Sequence, residues 1–417
     1  MKIAFDVTDL YVAQAGVFFY RFNLIKALLQ MDLSPDELFM FDYYPIHGGW
    51  LARPEVDNLQ TEQSPLYRVK GLRHRKVARL SFMQRPGLYG IAKGIDTLAG
   101  RPWGRLAENV MNGKLAECLG ETAVLLASDV VQYTQPGMKT IVTIYDMTTF
   151  LFPDYHTAET QAIQKEKYRF AQDHADAIIA ISESTKQDII RFLGIEAERI
   201  YVVYAGVTSE FRPLPEAVVQ KTLTQWELTP QSYILHVGTI EPRKNLVKLV
   251  EAYERVWRKR PLTTPKLVLA GAAGWFFKEV FATIEDLGLE EQVVYVGRVD
   301  DADLPALYNG ALFLAYPSLY EGFGMPPLEA MACGTAVLTS NASSLPEVVG
   351  ACGLLVEPQY TASIAEGLQK LIDDTSLRQR LAQQGLQQAS QFSWQKAAQD
   401  TVDFYHKIGN FPEIRGK

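Results

Sequence analysis

Short apolar runs alternate with amphipathic segments through most of the chain. In the first half, runs typical of buried strands lie at 2–7, 38–44, 124–133, 141–146, 177–182 and 200–205. Helical spacing of apolar residues occurs between them at 17–30, 158–175 and 183–193. Strands that alternate with helices in this way indicate a parallel sheet covered by helices. The first half therefore predicts a doubly wound α/β domain.

The same alternation restarts in the second half. Predicted strands lie at 233–238, 266–270, 293–297, 312–316, 336–340 and 353–357, and predicted helices at 244–258, 275–287 and 303–310. Between the halves, Arg212-Pro213-Leu214-Pro215 interrupts the pattern, and we interpret residues 213–230 as a linker. Because 417 residues exceed a single ordinary core, we expect two α/β domains, at 1–212 and 231–391. Residues 392–417 have the periodicity of one last amphipathic helix.

Composition places the chain among globular proteins, with 47% hydrophobic and 21% charged residues. Its three cysteines, Cys118, Cys333 and Cys352, lie far apart and match no metal-binding spacing, which favours a reducing cytosol. No signal peptide and no apolar run of about 18 residues is visible, so we expect a cytoplasmic protein without a membrane span. We also expect no nucleic-acid partner.

Charge is distributed unevenly. Residues 68–114 contain eleven Lys and Arg against two acids, a balance of +9 that leaves −16 for the rest of a chain whose total is −7. This segment belongs to a Gly-, Pro- and Arg-rich stretch, about 50–118, that we interpret as an insertion in the first domain. Such a cluster indicates either a solvated basic face or a surface for an anionic acceptor or an anionic membrane. In the second case the protein would be peripheral on the inner face of the cell membrane.

The most informative stretch is 316–334, YPSLYEGFGMPPLEAMACG. It follows the predicted strand 312–316, and Gly322 and Gly324 predict a loop in which the backbone can approach a ligand closely. Two adjacent prolines then suit the first turn of a helix, which we predict over 328–333. A helix N-terminus at the carboxyl end of a strand is a ready anion-binding site.

Two carboxylates, Glu321 and Glu329, flank this loop with seven residues between them. Glu329 suits the first turn of a helix because it complements the helix dipole, but Glu321 on the loop has no such structural explanation. Within Pro-Ser-x-x-Glu-Gly-Phe-Gly-x-Pro-x-Leu-Glu-Ala-x-Ala-x-Gly, the pair resembles the donor-site motif of the retaining, nucleotide-sugar-dependent glycosyltransferases of group 1, which are similar to family 4. The resemblance is densest from 233 to 357.

The resemblance implies a GT-B fold, in which two Rossmann-like domains face a cleft and a C-terminal helix crosses back onto the first domain. It implies transfer of a hexosyl unit, of mannose or glucose type, from a GDP- or UDP-linked donor with retention of configuration. The implied acceptor is a saccharide or a lipid-linked saccharide, in the synthesis of surface polysaccharide or glycolipid. No protein nucleophile and no cofactor are expected.

The resemblance also assigns roles within the motif. Glu329 would accept hydrogen bonds from the ribose hydroxyls, with Leu328 beside it in the nucleotide site. Glu321 would hold the hydroxyls of the transferred sugar, together with the loop Gly322-Phe323-Gly324. No metal is expected, because an Arg and a Lys would supply the positive charge. Asp301-Ala302-Asp303 spells a metal motif of a different glycosyltransferase fold, but its position before a predicted helix favours helix capping.

A second motif, residues 238–245 (GTIEPRKN), lies where the first strand of the second half meets its helix. Ligands bind at such carboxyl ends in open α/β sheets. Arg243 and Lys244 at a helix start oppose the dipole preference, so we expect them to bind a diphosphate rather than to serve the fold. The resemblance implies the same role, and Asn245 is a further donor-side candidate.

Four more residues complete the candidate site. Arg298 and Val299 follow a strand of the second half, near the base pocket of the resembling enzymes. Gly16 opens the first predicted helix, where the family's loop approaches the donor. Asp146 ends a strand of the first half and is the acceptor-side candidate, although Tyr145 stands where many relatives have a histidine.

Three other functions stay open at this point. One is another reaction on the same fold, such as a sugar-nucleotide epimerase or a polymer synthase. A second is a non-catalytic nucleotide-sugar-binding protein, which would be expected to lack the Glu pair or the Arg-Lys pair. A third is a membrane-docked assembly protein, which only the basic segment supports.

Overall fold

The computed structural model describes residues 2–6, 16–31, 37–41, 124–127 and 137–409. The predicted insertion, with its basic segment 68–114, lies outside the described residues. None of the helices in the described ranges is long and apolar enough to cross a membrane.

Six parallel strands form the first sheet. They are β1 (Lys2–Asp6), β2 (Glu37–Phe41), β3 (Val124–Leu126), β4 (Lys139–Ile144), β5 (Ala177–Ala180) and β6 (Ile200–Val202), in the order β2-β1-β3-β4-β5-β6. The helices of this domain are α1 (Gly16–Leu29), α2 (Thr148–Leu151), α3 (Ala158–His174) and α4 (Glu183–Leu193). Neighbouring strand residues such as Ile178 and Ile179 belong to different core clusters, because side chains alternate across a sheet. The sheet is therefore covered on both faces, as predicted.

A second six-stranded parallel sheet forms the second domain. Its strands are β7 (Tyr233–Val237), β8 (Lys266–Ala270), β9 (Val293–Gly297), β10 (Phe313–Tyr316), β11 (Val337–Ser340) and β12 (Leu354–Val356). Its helices are α5 (Glu216–Leu223), α6 (Leu246–Trp257), α7 (Lys278–Asp286), α8 (Leu304–Gly310), α9 (Met325–Ala332), α10 (Leu345–Val349), α11 (Thr361–Asp373) and α12 (Thr375–Ala389), and the last helix is α13 (Trp394–Gly409).

The strand order of this sheet, β12-β11-β10-β7-β8-β9, explains where a ligand can bind. From the central pair β7 and β10, the chain continues outward in opposite directions, to β8 and β9 on one side and to β11 and β12 on the other. The loops after β7 and β10 therefore diverge and leave a crevice at the carboxyl ends of the two strands, which is the usual binding place in such sheets. Both sequence motifs lie on these two loops.

The two chain crossings between the domains lie side by side. Val207 pairs with Ser393 in an isolated parallel bridge, and helix α13 then continues onto the first domain. There the ring of Trp394 lies 5.7 Å from that of Tyr20, and the ring of Tyr405 lies 6.0 Å from that of Phe5 on β1. The last helix thus packs on the first sheet, as the resemblance implies.

The stretch 213–230, predicted as a linker, contains helix α5. Val219 and Leu223 of this helix are buried, and both lie against Gly310 at the end of α8. This part of the stretch is therefore an ordered piece of the second domain rather than an open connection. Its amphipathic pattern covers only about two turns, which is too short to stand out beside the flanking prolines.

Candidate active site

The loop after β7 holds two cations in a tight turn. Pro242–Lys244 forms a single turn of 3-10 helix, and Asn245 follows it in the left-handed conformation with φ 60°. Helix α6 begins only at Leu246, so Arg243 and Lys244 precede the helix. The expectation that they stand in a helix start is therefore wrong.

The loop after β10 approaches the first domain more closely than any side chain would allow. A Cβ on Gly322 would lie 2.0 Å from the carbonyl oxygen of Tyr145, which shows why glycine is required here. Gly324, with φ 118°, then begins helix α9, and the two prolines occupy its first turn as predicted. The helix starts at Met325, three residues earlier than the sequence pattern suggested.

Glu321 is the centre of a buried ionic cluster that joins the two loops. Its Oε2 accepts a hydrogen bond from Arg243 Nη1 at 2.5 Å, and its Oε1 accepts one from Lys244 Nζ at 2.7 Å. The hydroxyl of Tyr316 donates to Oε1 at 2.9 Å and accepts from Lys244 Nζ at 2.6 Å. Because Glu321 is only 7% exposed, these partners replace the water that it loses.

Glu241 adds a second carboxylate to this cluster. Its Oε1 accepts a hydrogen bond from Arg243 Nη2 at 2.6 Å, so both terminal nitrogens of the guanidinium are engaged. The cluster thus balances two cations with two carboxylates. The expectation that Arg243 and Lys244 have no structural use is therefore wrong, although their position in the crevice is as predicted.

Electrostatics keep Glu321 ionised. Burial alone would raise the pKa of its carboxyl, but Arg243 and Lys244 lower that pKa to about 2. The pKa of Lys244 is lowered by burial and by Arg243, against the opposite effect of Glu321. The pKa of Arg243 is raised, because Glu321 and Glu241 outweigh the effect of its burial.

His236 supports the cluster from inside the sheet. Its ring stacks on that of Tyr316 with centroids 5.4 Å apart, and its Nδ1 donates to the carbonyl oxygen of Ala315 at 3.0 Å. Burial lowers the pKa of His236 to about 4, so the imidazole is neutral near pH 7. It therefore fixes the Tyr316 ring without adding a third positive charge.

Glu329 lies on helix α9, in a less charged environment. Its Oε2 accepts a hydrogen bond from the hydroxyl of Tyr308 at 2.8 Å. Burial raises the pKa of Glu329 to about 7, and the hydrogen bond from Tyr308 only partly offsets this effect. The two glutamates of the motif therefore differ: Glu321 is held ionised, whereas Glu329 changes its charge near neutral pH.

Three predicted donor-side residues serve the fold through their side chains. The side chain of Leu328 is fully buried, and its N–H donates to the carbonyl oxygen of Gly324 at 3.3 Å. Phe323 is buried between Tyr204 and Phe392, with ring centroids 6.0 and 5.8 Å away. The amide of Asn245 donates to the carbonyl oxygens of Pro317 and Pro358 at 3.0 and 2.8 Å and thereby holds neighbouring loops. These three side chains pack around the site, and their donor-side roles stay predictions.

The remaining donor-side candidates have fewer contacts. Arg298 is exposed after the edge strand β9, and Val299 packs against the core. Gly16 is exposed at the first position of α1, and a Cβ there would meet nothing within 4 Å. No contact described here depends on the residue type at these three positions. Their roles therefore stay predictions.

Asp146 stands on the first-domain side of the crevice, near the ionic cluster. Its Oδ1 accepts hydrogen bonds from the N–H of Thr148 at 2.9 Å and from its hydroxyl at 2.5 Å, so it stabilises the start of α2. Its charge also raises the pKa of Arg243, and a Cβ on Gly322 would lie 3.0 Å from its Cβ. The structure therefore brings the acceptor-side candidate next to the donor-side loop.

Sequence reasoning missed His156 on the same wall. This half-buried imidazole follows a turn at Pro153–Tyr155, and its ring lies 6.1 Å from that of Trp275 in the second domain. The charges of Asp146, Glu241 and Arg243 all act on it. Because His156 comes eleven residues after Tyr145, the position where relatives have a histidine, the sequence offered no spacing that would identify it.

The Asp-x-Asp sequence has no metal-binding surroundings. Asp303 precedes α8 without a side-chain capping bond, and it accepts a hydrogen bond from Gln225 at 3.2 Å instead. The predicted capping role is thus wrong for this residue. Within the part of the chain that the structure describes, no group of three or more His, Cys, Asp or Glu residues is arranged to hold a metal ion.

Comparison with known proteins identifies the family. The profile described as glycosyl transferases group 1 matches residues 222–388, and that of glycosyltransferase family 4 matches residues 122–211. The O-antigen chain mannosyltransferase B of Escherichia coli is 35% identical over 267 residues, which are 64% of this chain and 70% of that protein. The chain belongs to the group 1 glycosyltransferases. The ionic cluster around Glu321 is therefore part of a group 1 glycosyltransferase.

Other relatives are more distant. The serotype-specific mannosyltransferase WbdA of Escherichia coli is 30% identical over 274 residues, 65% of this chain but 34% of that protein. Among solved structures, Anabaena HepE in complex with UDP and glucose has a TM-score of 0.66 at 18% identity and covers 98% of this chain and 100% of its own. Sucrose-phosphate synthase from Thermosynechococcus elongatus has a TM-score of 0.68 at 18% identity and covers 98% and 99%. The group 1 enzyme described here thus has the GT-B fold.

Proposed function

We propose that this glycosyltransferase transfers a mannosyl unit from a nucleotide diphosphate sugar to a saccharide acceptor, with retention of configuration. One observation carries the proposal: Glu321 binds Arg243 and Lys244 in the crevice between β7 and β10. Cations placed there are suited to a diphosphate, and the carboxylate beside them is suited to sugar hydroxyls.

Donor binding would change the hydrogen-bond partners within the ionic cluster. A diphosphate brings negative charge to a group in which Glu241 and Glu321 already balance the two cations. Lys244 would turn from Glu321 toward the phosphates, and Glu321 would then accept hydrogen bonds from the sugar. Arg243 would stay held by Glu241, as a fixed positive charge next to the leaving group.

The reaction needs no nucleophile from the protein. The bond between the sugar C1 and the phosphate oxygen breaks, and the acceptor oxygen forms a bond to C1 on the same face. The acceptor proton goes to the departing phosphate oxygen. Lys244 and Arg243 stabilise the negative charge that grows on the diphosphate, and Glu321 positions the sugar. Positive charge from these side chains supports a metal-independent reaction.

Mannose is proposed because the more similar relatives are mannosyltransferases. At 35% identity, the O-antigen mannosyltransferase B supports a role in the synthesis of a surface polysaccharide. The donor nucleotide would be GDP or UDP. The acceptor would be a growing saccharide, either free or linked to a lipid on the inner face of the membrane.

A panel of nucleotide sugars tests this function. The purified protein is incubated with GDP-mannose, UDP-glucose and their relatives, with a mannose oligosaccharide as acceptor, in the presence and absence of EDTA. We expect transfer from a mannose donor that EDTA does not abolish, and an NMR spectrum of the product that shows the anomeric configuration of the donor. Inversion, or dependence on a divalent metal, would refute the proposed mechanism, whereas epimerisation without transfer would favour a different reaction on this fold.

A further inference from the structure

The loop after β8 carries two aromatic side chains to the crevice. Gly274 donates its N–H to the carbonyl oxygen of Ile240 at 3.1 Å. A Cβ on Gly274 would lie 2.6 Å from Cγ2 of Thr239, so only glycine allows this loop to rest on the loop after β7. The contact fixes the position of Trp275, the next residue, beside the motif that contains Glu241 and Arg243.

The two aromatic side chains are exposed to solvent rather than packed in a core. Trp275 is 42% exposed, and Phe276, which follows it, is 61% exposed. Phe276 also has φ 58°, a left-handed conformation that is costly for a bulky residue. A strained backbone that presents aromatic surface to solvent is more typical of a binding site than of a core.

The opposite wall of the crevice is aromatic as well. His156 faces Trp275 with ring centroids 6.1 Å apart, and its Nε2 is buried without a hydrogen-bond partner among the described residues. Phe152 stacks on Tyr155 at 5.5 Å and lies 6.0 Å from the ring of Tyr320, next to Glu321. The two walls thus form an aromatic pocket, in which the Nε2 of His156 is a polar atom without a hydrogen-bond partner among the described residues.

We propose that Trp275 and His156 form the subsite for the terminal sugar of the acceptor. The inference rests on the proposed function, since it assumes that a saccharide enters the crevice. A sugar ring has an apolar face of C–H groups, which fits the exposed ring of Trp275, and hydroxyls at its edge, which fit the unpaired nitrogen of His156. The buried nitrogen becomes hydrogen-bonded when the two rings separate to admit the sugar.

Sheet order separates this pocket from the nucleotide side. In the order β10-β7-β8, Trp275 follows β8, whereas Glu329 follows β10, so the two lie on opposite sides of the β7 loop. The ribose therefore belongs on the Glu329 side. The Trp275 side, which faces His156 of the first domain, suits the second substrate, which must approach the cations at the end of β7.

Kinetics with Trp275→Ala test the subsite. With nitrophenyl α-mannoside as acceptor and GDP-mannose as donor, we expect the acceptor KM to rise about tenfold, as for the loss of one aromatic contact, while the donor KM changes far less. Trp275→Phe should show a smaller rise. Tyr360→Ala removes a side chain that is 67% exposed at the start of α11 and serves as the control that should leave both constants unchanged. Equal rises in both KM values would overturn the inference.

Direct binding gives a second readout that needs no turnover. A mannose oligosaccharide titrated into the protein should change its tryptophan fluorescence, and this change should be lost in Trp275→Phe. His156→Ala should weaken the binding, and His156→Gln should restore part of it, because the amide again offers a polar atom. If the oligosaccharide does not bind the wild-type protein, the subsite is refuted. If it binds but no sugar is transferred, the subsite stands and the proposed function fails.

Discussion

The carboxylate of Glu347 accepts a hydrogen bond from the backbone N–H of Ser184 at 3.0 Å, and the two residues belong to different domains. The same carboxylate accepts from the N–H of Glu183 at 2.9 Å and from the hydroxyl of Tyr204 at 3.1 Å. A residue of the second domain thus caps helix α4 of the first. Because free N–H groups at a helix N-terminus favour a carboxylate, this contact stabilises the approach of the two domains.

Replacing Glu347 should loosen that approach. Loss of a helix cap typically costs about 0.5–2 kcal/mol, and here the cost falls on the contact between the domains. We expect Glu347→Ala to increase the radius of gyration in small-angle X-ray scattering of the ligand-free protein. Asp374→Ala is the matched control, since Asp374 caps α12 within one domain by accepting from the N–H of Leu377 at 2.8 Å. A similar expansion in both variants would argue against a domain latch.

The cations of the β7 loop should matter most in the transition state. Arg243→Ala and Lys244→Ala each remove charge that stabilises the leaving diphosphate, and loss of one such group typically costs about 2.7–4 kcal/mol. We therefore expect kcat to fall about 100- to 1,000-fold in each variant. Steady-state kinetics with the active donor measure this, and Lys248→Ala on helix α6 is the control.

The same substitutions should also reduce stability, because each leaves Glu321 buried with one cation fewer. Breaking a buried ion pair on one side costs about 3–5 kcal/mol in other proteins. Urea denaturation compares the free energies of unfolding, and activity is then measured under conditions where each variant is folded. A folded variant with near-normal turnover would refute the role of these cations.

Replacing Glu321 and replacing Glu329 should have different effects. Glu329→Ala should mainly weaken the binding of free nucleoside diphosphate, because a ribose contact exists before and during the reaction. Glu321→Ala should mainly lower kcat, because its contacts to the sugar change as the bond to C1 breaks. Isothermal titration calorimetry with GDP and UDP measures the first effect. If Glu321→Ala lost nucleotide affinity while Glu329→Ala kept it, the two roles would be reversed.

Glu329 also predicts a pH dependence of nucleotide binding. Its pKa is raised to about 7 by burial, so it is largely protonated below that pH and a carboxylate above it. Only the carboxylate accepts hydrogen bonds from both ribose hydroxyls. We therefore expect nucleotide affinity to rise as pH increases through about 7, with release of a proton on binding near that pH.

Calorimetry in buffers with different ionisation enthalpies counts that proton. Glu329→Gln is the control, because the amide keeps the shape of the side chain and does not titrate. Its affinity should be lower than that of the wild type and flat across the same pH range. The corresponding stability effect has the opposite sign: the raised pKa stabilises the fold below about 4.5, and this contribution is lost as pH rises toward 7.

How much of this follows from the sequence depends on the kind of interaction. The strands, both loops and the presence of helix α9 follow from local patterns, since prolines and glycines at fixed spacing leave few conformations. The pairing of Glu321 with Lys244 was also within reach, because both lie at carboxyl ends of strands that meet at the switch point. Sequence alone did not show that Glu241 would neutralise Arg243, since that depends on the 3-10 turn that begins between them, at Pro242.

Contacts between the domains were the part that local patterns could not predict. Glu347 caps a helix whose first residue lies 164 positions earlier in the chain, and no periodicity links the two. His156 and Trp275 meet for the same reason, because the cleft brings together loops from two independent sheets. The buried side chain of Leu328 could not be predicted either, because a motif marks positions near a ligand without separating exposed side chains from those that pack beneath them.

The last prediction concerns the basic segment 68–114 and rests on its composition. With +9 against −16 elsewhere, the protein should orient this segment toward anionic surfaces. Its apolar residues are interleaved with the charges, as interfacial segments require. A lipid-linked acceptor would then reach the crevice without leaving the membrane.

Liposome flotation tests this orientation. The protein should float with vesicles that contain phosphatidylglycerol and not with neutral phosphatidylcholine vesicles, and high salt should release it. Each Lys or Arg near an anionic leaflet contributes about 1 kcal/mol, so Arg73, Arg75 and Lys76 changed together to Gln should weaken binding about 100-fold. Arg258, Lys259 and Arg260, exposed on the second domain, changed to Gln are the charge-matched control. Equal loss in both triple variants would mean that total charge, not the segment, determines binding, and flotation with neutral vesicles would make the attraction apolar.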